Sequence, residues 1–134
     1  EDVARLDQCM AECRERFDRG ESIAQPSADF HLAIIAATHN QFLVRAANSC
    51  YLATREMRES VFSDRKVCRR SIRDHQAIRD AIAQGSVTRA RAALKAHLHI
   101  ADQYWHEKFE SDGAAATKAV APVAIRRRRG PMTP

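Results

Sequence analysis

Ser63-Asp64-Arg65-Lys66-Val67-Cys68-Arg69-Arg70-Ser71-Ile72-Arg73-Asp74-His75-Gln76-Ala77-Ile78-Arg79-Asp80-Ala81-Ile82-Ala83-Gln84-Gly85 is the stretch that decides the fold. Ser63 and Asp64 offer side-chain oxygens to the first free amides of a helix. Cys68, Ser71 or Ile72, His75, Ile78 and Ile82 then recur at spacings of three and four, which places them on one stripe. Gly85 tolerates the left-handed backbone that ends such a helix. The stretch therefore predicts one amphipathic helix from about Arg65 to Gln84.

Working outward, the same period continues on both sides. Downstream, a helix starts at Ser86 or Val87 and runs past Trp105, aligning Ala90, Leu94, His97, Ala101 and Tyr104. Upstream, one helix from Gln41 to about Phe62 turns Leu43, Ala47, Cys50, Thr54, Met57 and Val61 inward, and Arg45, Arg55, Glu56 and Glu59 outward. Before it, Gln25-Pro26-Ser27 opens a helix that buries Phe30, Ile34 and Ala37 or Thr38 and stops near His39-Asn40. The first helix carries Val3, Leu6, Met10, Cys13 and Phe17 on its inner stripe and ends near Gly20. No strand-like alternation competes, and connections this short force neighbours to run antiparallel. The expectation is an all-α antiparallel bundle of about five to six helices over residues 1–111.

Composition agrees. A chain of 134 residues is long enough for one domain with a core of its own. Only four Gly and four Pro are present, and most lie outside the periodic stretches. No run approaches the roughly 18 apolar residues a membrane span needs.

The net charge of +5 sits at one end. After Asp112 there is no acid, and Lys118, Arg126, Arg127, Arg128 and Arg129 account for all of it. Residues 1–112 are neutral overall, so the body has no basic excess with which to grip phosphates. Residues 112–134 read as a flexible basic tail without an apolar stripe.

Cys9 and Cys13 lie one turn apart on an apolar face, and with Cys50 and Cys68 they read as reduced thiols of a cytoplasmic protein. No second closely spaced Cys or His pair supports a zinc finger. The start at Glu1-Asp2-Val3, without Met, suggests that a segment upstream has been removed.

His31, His75 and His97 each take an inward position on a different helix. A single inward histidine is usually a hydrogen-bonded core residue. Three unpaired imidazoles in one small core are costly, whereas neutral imidazoles meeting from facing helices suit a divalent transition metal. His39, His99 and His106 fall at a helix end or off the stripe and read as surface residues.

Two segments resemble the FCD effector domain found in the FadR subfamily of GntR-type transcription regulators. The first is Asp29-Phe30-His31-Leu32-Ala33-Ile34, continuing through Ala37-Thr38-His39-Asn40. The second is His75-Gln76-Ala77-Ile78 through Ala81-Ile82-Ala83-Gln84-Gly85, then Ala90-Arg91-Ala92-Ala93-Leu94 to His97-Leu98, with 22 residues from His75 to His97. The resemblance covers roughly residues 1–110. It implies that His31, His75 and His97 bind a metal ion, Zn or Ni, that a small organic acid completes the coordination, and that the domain forms a homodimer. DNA is then bound through an attached N-terminal winged-helix domain that these residues do not contain.

The sequence departs from the family pattern at Ser27, four residues before His31, where the family places an Asp ligand. Asp29 lies only two residues before His31, about 200° around an ideal helix, and does not replace it. Ser27 offers a neutral hydroxyl, and Asn40, Arg45 and Asn48 stand where an effector could be reached.

Two other classes compete with the sensor reading. Three His around Zn with an open position can activate water, as in a metal-dependent hydrolase. Here no general base or nucleophile stands at a fixed spacing, and Glu107 and Glu110 lie well beyond His97, so no enzyme is expected. A ligand-free helical interaction module would use the histidines for packing alone. The Arg126 to Arg129 run, flanked by Pro122 and Pro131, reads as solvated; contact with DNA would add only salt-sensitive, sequence-independent affinity.

Overall fold

A computed structural model describes residues 1–99 and 106. They form six helices and no strand. These are α1 (Asp2–Asp18), α2 (Ala24–Ala36), α3 (Gln41–Ala53), α4 (Arg55–Val61), α5 (Arg65–Ala83) and α6, helical over residues 87–99. The expected continuation past Trp105 and the tail of residues 112–134 lie outside the described residues.

The ends follow local chemistry. Asp64 caps α5 by accepting the Lys66 amide at 2.7 Å. Gly85, at φ +64°, closes it, with amides 85 and 86 turning back to the carbonyls of Ile82 and Ala81 at 2.9 and 3.0 Å. Asn40 caps α3, its Oδ1 accepting from the amides of Phe42 and Leu43 at 3.0 and 3.3 Å.

The core lies between α1, α2 and α5. Leu6, Cys9, Met10, Phe30 and Ile78 form its buried centre, and Ala33, Ile34, Ile72, Ile82, Ala93 and Leu94 pack against them. The stripes expected on α1, α2 and α5 are the ones that meet there. Cys9, Cys13 and Cys68 are free and buried, and Cys50 is free and exposed. Among the described residues no helix is long and apolar enough to cross a membrane.

The single helix expected from Gln41 to Phe62 is instead two helices broken at Thr54, which sits at φ −104°, ψ 13°. Its hydroxyl donates to the Cys50 carbonyl at 2.8 Å and accepts from Arg58 at 2.6 Å. A threonine that back-bonds this way competes with the regular ladder, and periodicity carries no signal of it.

The burial expected of this segment is also corrected. Nothing in α3 is buried: Cys50 is exposed, Leu43 is 45% exposed, and Phe42 and Leu52 are 78% and 76% exposed. Of the expected inward set only Val61, at the end of α4, is buried. The helix packs principally on α2, and one neighbour cannot cover a whole apolar stripe.

Candidate metal and effector site

The three histidines arrive from α2, α5 and α6. Pro26 and Ser27 start α2 as part of its buried face, and one turn later His31 follows on that side. His75 is the centre of the α5 stripe, fully buried between Ser71 and Ile78. Its ring stacks on Phe30, with centroids 4.3 Å apart and planes at 14°. His97 reaches in from α6 with 10% of its side chain exposed.

Their Nε2 atoms converge. His31 Nε2 lies 3.2 Å from His75 Nε2 and 3.3 Å from His97 Nε2, and all three ligand atoms lie within 4.8 Å of one another. Two imidazole nitrogens bound tetrahedrally to one zinc ion stand about 3.3 Å apart, given Zn–N bonds of 2.0–2.1 Å. Two of the three edges of the triangle already match, and a small side-chain movement can close the third.

Protein atoms alone satisfy this cluster poorly. His97 Nδ1 faces Asp74 Oδ2 at 3.4 Å. With its proton there, its Nε2 is a bare lone pair. A single proton on His31 Nε2 can be donated fully to only one of the two nitrogens it faces. The Ser71 hydroxyl stands 3.4 Å from His75 Nε2, and His75 Nδ1 is buried with no hydrogen-bond partner. A cation among the three Nε2 lone pairs removes their mutual repulsion, so these residues fit a divalent transition metal.

Burial also holds the rings in the ligating form. It pushes His31 down to about 3, with help from His97 and the Arg58 charge. Burial drives His75 well below the ordinary imidazole value, reinforced by His31 and His97. His97 is lowered by burial and partly restored by Asp74. All three are neutral near pH 7, as coordination requires.

A folded state that refuses protons the unfolded chain accepts loses stability as pH falls through the interval between the two pKa values. The metal-free protein should therefore weaken from about pH 6.5 downward, by up to about 1.4 kcal/mol per pH unit for each buried histidine. Urea midpoints at pH 7.5 and 5.5 measure this; a flat profile would contradict neutral burial.

Beside the histidines opens a cavity of 280 Å³ between α2, α3, α4 and α6. His31, His97 and Ser27 form one wall, Cys50, Tyr51, Thr54 and Arg58 another, and Ala28, Val61, Phe62 and Leu98 complete it. A larger groove of 720 Å³ runs along residues 91–99 of α6. Among the described residues a single helix face lines it, so they bring no converging ligands to it.

Of the other residues singled out from sequence, Ser27 is buried in the cavity wall one turn before His31. Asn48 lines a separate cleft of 200 Å³ with Gln25, Arg55 and Arg58. Asn40 spends its carboxamide oxygen on the α3 cap, and Arg45 is exposed on α3 outside the cavity lining. Asp29 is held by Gln25 at 3.0 Å. His39, His99 and His106 are exposed.

Sequence reasoning missed Asp74, Tyr51 and Arg58. Asp74 precedes His75 by one residue and so points off its stripe; its role needs α6 in place. Tyr51 and Arg58 flank Thr54 at three and four residues, each one position beyond Cys50 and Met57 on the stripe that apolar spacing selects. Asp74 orients His97, and outer partners of this kind are worth 10- to 100-fold in metal affinity. Asp74→Asn should weaken zinc binding by about that factor, as read by competition with a chelator, with the fold unchanged by circular dichroism.

A helical bundle with a cluster of three imidazoles, two of which line a small cavity, is the architecture of a ligand-binding domain. The family model of the FCD domain matches residues 1–100. The chain belongs to the FCD family, the effector-binding domains of transcription regulators. No curated protein and no solved structure matches the chain.

Proposed function

We propose that this domain senses a small organic acid at a divalent metal held by His31, His75 and His97, and transmits its binding through a homodimer to an attached winged-helix DNA-binding domain. The observation that carries this reading is the convergence of three neutral Nε2 atoms beside a 280 Å³ cavity that His31 and His97 line. When bound, the metal supplies an electrophilic open position for a carboxylate.

The chain's own residues do the rest. Asp74 fixes the tautomer and plane of His97, Phe30 holds His75 by stacking, and the Ser27 hydroxyl reaches the cavity where the family pattern has a carboxylate. With no anion from Ser27 the ligand set is neutral, which favours an anionic effector. The far wall comes from α3 and α4, so an effector that draws on it shifts those helices against α2 and α6 and biases the arrangement of the dimer. Among the described residues the cavity lining holds no carboxylate to act as a general base.

Thermal melting of the full chain with zinc, and then with zinc plus acetate or lactate, tests the proposal. Saturation 100-fold above Kd should raise Tm by roughly 10 °C. The acid should add a further rise only when zinc is present. Indifference of Tm to zinc, nickel and both acids would sink it.

A further inference from the structure

We infer that the effector carries two acidic groups, one for the histidine-bound metal and one for Arg58, so that Arg58 selects diacids over monoacids; this rests on the metal-sited carboxylate reading above.

Arg58 is a half-buried cation. Its Nη1 donates to the Thr54 hydroxyl at 2.6 Å, its Nε is buried with no partner, and its Cζ lies 4.9 Å from the centre of the Tyr51 ring. Among the described residues no carboxylate pairs with it. The acids that act on it from a distance include Glu59 and Asp29, which accept from Ser22 and Gln25 instead. Burial lowers its pKa, the mark of a guanidinium short of compensation.

Among the described residues, the cavity that Arg58 shares with His31 and His97 has no acidic side chain in its lining. With a divalent ion at the histidines, two positive centres face one space to which the described residues bring no anion. A partly desolvated guanidinium is strongly stabilised by a carboxylate, which can accept two parallel hydrogen bonds.

The spacing suits a short ligand. Tyr51 neighbours both walls, its ring 6.3 Å from that of His31 and 4.9 Å from the Arg58 carbon, so the His31 ring and the guanidinium lie no farther apart than those distances combined. A backbone of about two to four carbons between acid groups spans such a gap. A cavity of 280 Å³ holds on the order of ten heavy atoms, at the small end of ligand sites. The flanking Ala28, Val61 and Leu98 suit methylenes.

Calorimetric titration of the zinc-loaded full chain with succinate and glutarate, against butyrate and valerate of matched length, tests the inference. The diacids should bind roughly 10- to 100-fold more tightly. Arg58→Gln should bring the diacids down to the affinity of their monoacid partners while zinc content is retained, and Arg58→Lys should recover part of the preference. Should Arg58→Gln fail to fold, the paired comparison in the unaltered protein and in Arg58→Lys still decides. Equal affinity for diacids and monoacids, or a preference that survives Arg58→Gln, overturns the inference and leaves the metal-sited carboxylate standing. Failure of every acid to bind the zinc-loaded protein overturns both.

Discussion

Replacing His75 by leucine is expected to abolish tight zinc binding while leaving the metal-free protein as stable as the parent, or more so. The two effects have opposite signs because the imidazole has opposite value in the two states. In the metal-free core His75 is fully buried, its Nδ1 has no partner, and its Nε2 crowds that of His31 at 3.2 Å. A buried polar atom left unpaired costs roughly 1–3 kcal/mol, and an apolar side chain of similar volume removes that cost. With metal present the same nitrogen is one of the three imidazole ligands of the proposed site. Its loss should exceed the 10- to 100-fold typical of outer-shell partners, so affinity should fall by more than about 100-fold. Zinc content after dialysis and urea unfolding of the metal-free protein measure the two halves separately. A His75→Leu protein that retains zinc would show that the histidines serve packing alone.

Phe30→Ala should be the most destabilising single change in the domain. Phe30 is fully buried at the centre of the cluster formed with Leu6, Cys9, Met10 and Ile78. Truncating a buried phenylalanine costs about 3–5 kcal/mol, against total stabilities of about 5–15 kcal/mol. The ring also stacks on His75 and meets His31 edge-on at 5.8 Å, so its loss frees two of the three ligands to rotate. Metal affinity should fall with stability, and added zinc should recover less stability than in the parent. Urea unfolding with and without zinc checks this; a change under about 1 kcal/mol would mean that the core closes over the gap.

The two variants separate roles that the histidine cluster combines. His75→Leu removes a ligand and relieves the core, whereas Phe30→Ala keeps every ligand and removes its support. The Thr54 junction is a third element, since the hydroxyl that interrupts the α3–α4 ladder also accepts from Arg58 on the cavity wall. The break in the helix and the presentation of the guanidinium are thus one local arrangement.

Periodicity in this chain was enough to read α1, α2 and α5 and the inward turn of His31, His75 and His97, because apolar spacing and end caps are local and survive in one dimension. Those stripes form the core, and their histidines meet within 4.8 Å. Residues 41–62 show where local reading stops. An apolar stripe states which face of a helix avoids water, but whether that face is covered depends on how many neighbours reach it, and α3 has too few. The approach of Asp74 to His97 and the lack of a carboxylate beside Arg58 among the described residues likewise depend on how distant segments pack. The sequence by itself determined the helices and the three imidazoles. Only packing decided the distance between them, the cavity beside them and the cation across it, because those are set by the rotation and offset of helices against one another and not by the order of residues within any one of them.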